Sequence, residues 1–389
     1  MTLFAAILAL VALVGTLLVA PGMRRVRHLE PDAGRLDGPA VAVIVAARDE
    51  AETIEPALRS LLDQAGPATH VVVVDDRSTD ETPQILARLQ TEYSRLQCVR
   101  VDELPAGWLG KSHALTRGAE VTAEVDWLLF TDADVVFEAG AVEAAVRYAE
   151  AAALAHLTGG PALRTSSFAL GGMIAAFGVL FGLFTQPWRV PDPKSRAAVG
   201  IGAFNLVRRR AYMEAGGHEA LRLCVIDDLG LGRMMKAAGG RSEFVYASSL
   251  ISLEWYPSLR SMMRGLVKNA FAGVDYRLTA AVGATGFIAV MLIAPFVLPW
   301  IPALDPPARA LAALAALLHL RAASVSALRS DLPAATGLFF PIGLALFIVT
   351  LWRSTLTTLI RRTVVWRGTA YPLADLIAAC ESSSWRRFR

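Results

Sequence analysis

Apolar positions follow two patterns along this chain of 389 residues. In the first they run unbroken for a membrane-sized length. Residues 3–20 carry no charge and are about long enough to cross a hydrocarbon core of roughly 30 Å. Residues 280–304 and 335–352 repeat this pattern. Residues 307–328 repeat it with Arg321 inside, a charge that must snorkel or face a bundle interior. In the second pattern, short β-branched runs alternate with helical spacing. Residues 41–46, 71–74, 98–101 and 127–130 predict buried strands, and residues 51–62, 82–91 and 112–120 predict helices between them. Strands alternating with helices imply a parallel sheet with right-handed crossovers, and such sheets bind ligands at the carboxyl ends of their strands.

The flanks of the apolar runs orient them. Arg24, Arg25 and Arg27 follow the first run, and only the amino terminus precedes it. That order fits a retained anchor rather than a cleaved signal peptide, and it places the following chain in the cytoplasm. Arg353, Arg361, Arg362 and Arg367 follow the last run. Two C-terminal spans would put that tail inside and three would put it outside, so both counts stay open. A further apolar stretch, 168–185, lies between two groups of candidate catalytic residues, and a crossing there would separate them across the membrane. Its four glycines and four phenylalanines suit a helix lying at the interface, with a buried core helix as the alternative. The expected division is an anchor at 1–22, an α/β domain at 38–275, C-terminal transmembrane helices within 280–352 and a basic tail at 353–389.

Composition sharpens this picture. Apolar residues are 54% of the chain, charged residues 19%, and the mean hydropathy is +0.45, all pointing to membrane segments. The net charge of +3 with no basic stripe gives no nucleic-acid footprint. Cys98, Cys224 and Cys380 have no paired spacing, which argues against a zinc knuckle or a disulfide framework. No Gly-x-Gly-x-x-Gly follows the first strand, and Gly110-Lys111-Ser112 fails as a phosphate loop because Pro105 stands where the earlier glycine belongs.

Candidate chemistry collects at the strand ends. Asp75 and Asp76 close the second strand and are followed by Arg77-Ser78-Thr79-Asp80. Carboxylates there can accept hydrogen bonds from a base N–H and from ribose hydroxyls, while the residues after them can cap the next helix. Asp132-Ala133-Asp134 follows the fourth strand. Two carboxylates so spaced can address a divalent cation, Mg or Mn, together with the ribose; a solvated acidic turn is the plain alternative. Asp227-Asp228 precedes a helix expected at 229–238, where the pair can supply a general base or cap the helix. Lys111, beside Trp108 and His113, can offset diphosphate charge; His113 itself fits a helix surface better than catalysis. Arg260, Arg264 and Lys268 align on one helix face and can meet a diphosphate or lipid headgroups, or snorkel.

In this order the motifs resemble family 2 glycosyltransferases of the GT-A fold, most closely their lipid-directed membrane members: hopanoid-associated, carotenoid-precursor and ceramide glycosyltransferases. The resemblance spans residues 41–273. Ala46-Ala47-Arg48-Asp49-Glu50 matches the family's first-strand motif, which implies donor binding by Arg48 and Glu50 together with Asp75 and Asp76. Asp132-Ala133-Asp134 matches its Asp-x-Asp motif, implying a metal at Asp132 and Asp134, with Asp132 also touching the donor. Residues 200–205 match an acceptor-side strand, and Asp228 falls on the catalytic base, with Asp227 replacing a glutamate. The Gln-x-x-Arg-Trp of processive relatives is replaced by Arg264-Gly265-Leu266-Val267-Lys268-Asn269, which counts against polymer synthesis and leaves Lys111 and Lys268 to serve the diphosphate. The resemblance implies an α/β GT-A domain between N- and C-terminal transmembrane helices. It also implies inverting transfer from a UDP-sugar to a lipid at the cytoplasmic face of the inner (plasma) membrane. The alternatives are transfer to a polyprenyl phosphate and a non-catalytic nucleotide-sugar-binding subunit.

Overall fold

A computed structural model describes residues 2–31, 39–63, 66, 69–122, 124–383, 385 and 388, so the expected boundaries at 1, 38 and 389 lie outside the described residues. Two compact units share the chain. The α/β unit comprises Val26–Ala162, Pro187–Leu253 and Ala378–Arg389; the helical unit comprises Met1–Arg25, Leu163–Gln186 and Glu254–Ile377.

Among the described residues nine strands lie wholly within the α/β unit: β1 Val41–Ala47, β2 Thr69–Asp76, β3 Leu96–Val101, β4 Trp127–Asp132, β5 Val136–Phe137, β6 His156–Gly160, β7 Asn205–Arg208, β8 Ser242–Tyr246 and β9 Ile251–Leu253. Seven form one sheet in the order β3-β2-β1-β4-β7-β6-β8. The first four are mutually parallel, as the alternating pattern predicts. β7 runs antiparallel to β4 and β6, and β8 is parallel to β6. β5 and β9 pair separately. β1 and β2 read as near-continuous apolar runs because helices cover both faces of a parallel sheet. Helix Ile54–Leu62 buries Ile54, Ala57, Leu58, Leu61 and Leu62, the 3.6-residue stripe that such packing needs.

Register places the carboxylates. Ala47 pairs with Asp75 and Ala46 with Asp132, so both acids end their strands at the same edge, flanking β1. One core lies beneath them: Ala42, Ile44, Leu128 and Phe130 of the sheet pack with Leu115 and Ala119 of helix Gly110–Glu120 and with Leu231, Met234 and Met235 of helix Asp227–Ala237. Trp385, 2% exposed, completes this cluster. The stretch expected to be an acceptor-side strand at 200–205 differs. Only Asn205 enters β7, and residues 200–204 form a loop whose polar backbone groups turn to side chains. The helix expected at 229–238 starts two residues earlier and takes in both acids.

The helical unit contains the apolar runs. Among the described residues five stretches are long and apolar enough to cross a membrane: Ala5–Arg24, Phe168–Arg189, Leu278–Trp300, Pro306–Arg329 and Ala334–Arg361. Residues 163–186 and 254–275, read from sequence as parts of the α/β domain, cluster with these helices. Helix Phe168–Thr185 buries Leu170 to Ala176 against its neighbours, and small residues allow the approach. A Cβ on Gly172 would stand 2.3 Å from Phe339 Cβ and 2.8 Å from the Thr336 carbonyl oxygen. Arg321 takes an exposed position on its helix rather than an interior one. The expected basic tail is structured: Thr363–Trp366 and Thr369–Pro372 form a hairpin, followed by helix Leu373–Ser382.

Gly172→Ala is expected to cost about 1–3 kcal/mol through overpacking. Gly283→Ala, with nothing within 4 Å of its Cβ position, should instead be neutral or stabilising. Thermal unfolding of the detergent-solubilised protein checks both.

Candidate active site

The donor-side edge is built from two interlocked loops. Asp49 adopts φ 54°, and its carboxylate accepts the Thr79 N–H at 2.8 Å while its own N–H donates to Ser78 Oγ at 3.0 Å. The Glu50 N–H donates to Thr82 Oγ1 at 2.9 Å and the Ala51 N–H to Asp80 Oδ2 at 3.0 Å. Ser78, Thr79 and Asp80 therefore join the β1 and β2 loops, and of these only Asp80 also accepts from the start of the next helix, at the Thr82 N–H. Glu50 Oε2 accepts the Thr53 hydroxyl at 3.1 Å.

Each acid of the Asp75-Asp76 pair has its own arginine. Asp75, 4% exposed, accepts the Ser78 N–H at 3.1 Å and an Arg100 guanidinium hydrogen bond. Asp76 is gripped two-pronged by Arg77, Nε to Oδ1 at 2.7 Å and Nη2 to Oδ2 at 3.0 Å. The Arg48 guanidinium lies 3.9 Å from Asp76 Oδ2. Asp76 also reaches the start of helix Gly110–Glu120: a Cβ on Gly110 would stand 2.1 Å from Oδ2, so a side chain there would displace this carboxylate. Arg77 and Arg100 have no assigned role in the sequence argument. Their proximity to the acid pair, one adjacent and one on the neighbouring strand, is the signal that would have found them.

The next residue, Lys111, faces the other acids. Its Nζ lies 2.6 Å from Asp132 Oδ1 and 3.5 Å from Asp227 Oδ2. Burial works against this ammonium, but Asp132, Asp227 and Asp228 outweigh it and hold it well above the usual lysine value. Helix Gly110–Glu120 is fixed at its start by the Leu109 N–H, which donates to the Arg222 carbonyl at 2.7 Å, and by Ser112 Oγ, which donates to the Leu221 carbonyl at 3.3 Å. Asp228 accepts the Leu229 N–H on Oδ1 at 2.7 Å and the Gly202 N–H on Oδ2 at 3.2 Å. A Cβ on Gly202 would stand 2.6 Å from Asp132 Oδ2, so this glycine lies against the Asp132 carboxylate while its N–H meets Asp228. Burial, then Asp227, pushes Asp228 up to about 6, against the pull of Lys111. His113 packs edge-on against Trp108 at 5.5 Å, with its titration pushed down by burial.

Asp134 fits a cation. Its Oδ1 is sealed from solvent and has no hydrogen-bond partner. Burial, then Asp132 and Glu50, pushes the carboxyl up to about 7. Among the described residues no group of three or more His, Cys, Asp or Glu could hold a metal by itself. Lys268 belongs to the helical unit, where its Nζ sits 4.2 Å over the Trp366 ring.

A mixed sheet of this order, with acidic pairs ending its parallel strands, defines the GT-A class of nucleotide-sugar folds. A solved mannosyltransferase from Pyrobaculum calidifontis, in complex with GDP-Man and Mn2+, superposes with a TM-score of 0.52 over 100% of both chains at 20% identity, which establishes the shared fold. Residues 42–215 match the family described as Glycosyl transferase family 2. The 4,4'-diaponeurosporenoate glycosyltransferase of Staphylococcus aureus (strain USA300) is 30% identical over 195 residues, 50% of each chain. The chain thus aligns with about half the length of the curated relatives it matches.

A carboxyl that titrates near 7 in the fold and near 3.9 unfolded binds more protons folded than unfolded between those values, so its burial lowers stability as pH rises through that window. In chelator, Asp134→Asn is expected to stabilise the protein at pH 8 by roughly 2 kcal/mol more than at pH 5, read by denaturant unfolding.

Proposed function

We propose that this chain is an inverting glycosyltransferase that moves a sugar from a nucleoside-diphosphate sugar, a UDP-sugar, to a lipid acceptor at the cytoplasmic face of the inner (plasma) membrane. One observation carries the proposal: Gly202 spaces Asp132 from Asp228 on one sheet edge, Lys111 bridges Asp132 to Asp227, and the Asp134 Oδ1 is left without a partner.

The residues divide the work as follows. Asp75 and Asp76, with Arg48 and Glu50 in the interlocked loops, hold the nucleotide, and Arg77 shares Asp76 with the ribose. Asp132 and Asp134 hold a divalent cation, Mg or Mn, whose chemistry is to neutralise the departing diphosphate. Lys111 adds a fixed cation beside Asp132. Asp228 takes the proton from the acceptor hydroxyl as that oxygen attacks the anomeric carbon. Its raised titration makes it a stronger proton acceptor than an ordinary carboxylate while leaving it ionised near neutrality.

A lipid acceptor is supported by the five membrane-length apolar stretches and by the carotenoid-directed relative. Helix Phe168–Thr185 is proposed to lie at the interface beside the acceptor, and Arg24, Arg25 and Arg27 set the cytoplasmic orientation. The choice of UDP rests on the family resemblance, and the structural neighbour carries GDP-Man, so the donor test includes both nucleotides.

Membranes containing the protein, incubated with labelled UDP- and GDP-sugars and then extracted, should yield one labelled lipid that disappears on chelation. Nucleotide-sugar hydrolysis with no labelled lipid would overturn the lipid acceptor. Transfer should rise with pH through about 6, because Asp228 must be ionised to accept a proton. Asp228→Asn should lower turnover at least ~10²-fold while leaving donor affinity within about twofold; retained turnover removes it as the base. Asp134→Ala should abolish the metal dependence of donor binding, measured by calorimetry with and without Mn2+.

A further inference from the structure

The loop at 200–204 holds Asp228 in register with Asp132, and its own support lies one strand away. Thr158, 0% exposed in β6, uses its hydroxyl twice: Oγ1 accepts the Ile201 N–H at 2.9 Å and donates to the Phe204 carbonyl at 2.8 Å. Thr131 Oγ1 donates to the Ala203 carbonyl at 2.8 Å from the residue preceding Asp132. Within the loop the Phe204 N–H returns to the Ile201 carbonyl at 2.9 Å, which makes a closed turn with Gly202 at its apex. His156, two residues before Thr158 and therefore on the same face of β6, meets Asn205 Oδ1 through Nε2 at 3.1 Å. Both polar side chains on that buried face thus serve the loop or the residue that ends it.

We infer that Thr158 is a positioning residue for the transfer reaction: by clamping Ile201 and Phe204 it fixes the Gly202 amide that orients Asp228 and spaces it from Asp132. A valine would serve a buried strand equally well in shape and β-propensity, so the hydroxyl is what this position adds. Removing it leaves the half-buried Ile201 N–H without its partner and frees the turn, and a general base displaced by a fraction of an ångström loses rate far more than it loses donor affinity. This inference rests on Asp228 being the base, as proposed above.

The test compares full-length wild type, Thr158→Val, Thr158→Ser and Thr158→Cys in detergent, using the donor found in the membrane screen. Val should lower kcat about 10–100-fold with the donor KM within about twofold, and should speed amide exchange in the 200–204 peptide. Ser, which keeps the hydroxyl, should return both readouts to near wild type. Cys keeps the volume but hydrogen-bonds weakly, so it should behave like Val and decides the case if Val does not fold. A Val or Cys variant with wild-type kcat, a parallel loss of kcat and donor affinity, or a Ser variant as impaired as Val overturns the clamp. Absence of transfer in wild type would instead overturn the glycosyltransferase proposal. Exchange still judges the clamp in that case, because equal rates in all four proteins refute it.

Discussion

Asp132, Asp227 and Asp228 are gathered at one sheet edge around a single ammonium, that of Lys111. Asp132, Asp227 and Asp228 all act on Lys111, which is why that lysine stays charged despite burial. Without it, the acids would repel one another in a region of low dielectric and would neutralise by taking up protons. The architecture serves this charge balance. Parallel strands deliver Asp132 to the edge, helix Gly110–Glu120 delivers Lys111, and helix Asp227–Ala237 delivers the other two. All three elements rest on one apolar cluster, so their charged ends are held by packing that does not depend on the charges themselves.

The nucleotide side solves the same problem differently. Asp75 and Asp76 are adjacent and buried, yet each is matched by its own guanidinium, from Arg100 and Arg77. Asp134 is the exception at this edge. Its inner oxygen has neither an arginine nor a backbone donor, and the carboxyl is pushed toward protonation. The edge is thus short of positive charge at one known atom, which is the electrostatic form of a preference for a cation.

The sequence made the strand ends legible because parallel, doubly covered strands concentrate β-branched residues, and the polar residue that stops each run marks the binding edge. Asp75, Asp76 and Asp132 could be placed for that reason, whereas Asp228 opens a helix and was placed by the resemblance. The loop at 200–204 could not. Its glycines and apolar residues resemble a strand, and only tertiary contacts with Thr131, Thr158 and Asp228 decide otherwise. Helix Phe168–Thr185 was legible as apolar but not in its company, since a helix that is hydrophobic on all sides carries no stripe to say what it packs against. Arg100 escaped because ion pairing across neighbouring strands depends on register rather than on spacing along the chain.

The chain changes unit five times on its way from residue 1 to residue 389. β4 is synthesised long before β7, its antiparallel neighbour, and an apolar stretch of membrane length intervenes. During biosynthesis the growing sheet therefore waits with an open edge while residues 168–185 emerge, a state prone to mispairing and aggregation. Neither unit is one continuous piece of polypeptide, so a shortened version of the α/β unit would need its three segments rejoined through new linkers.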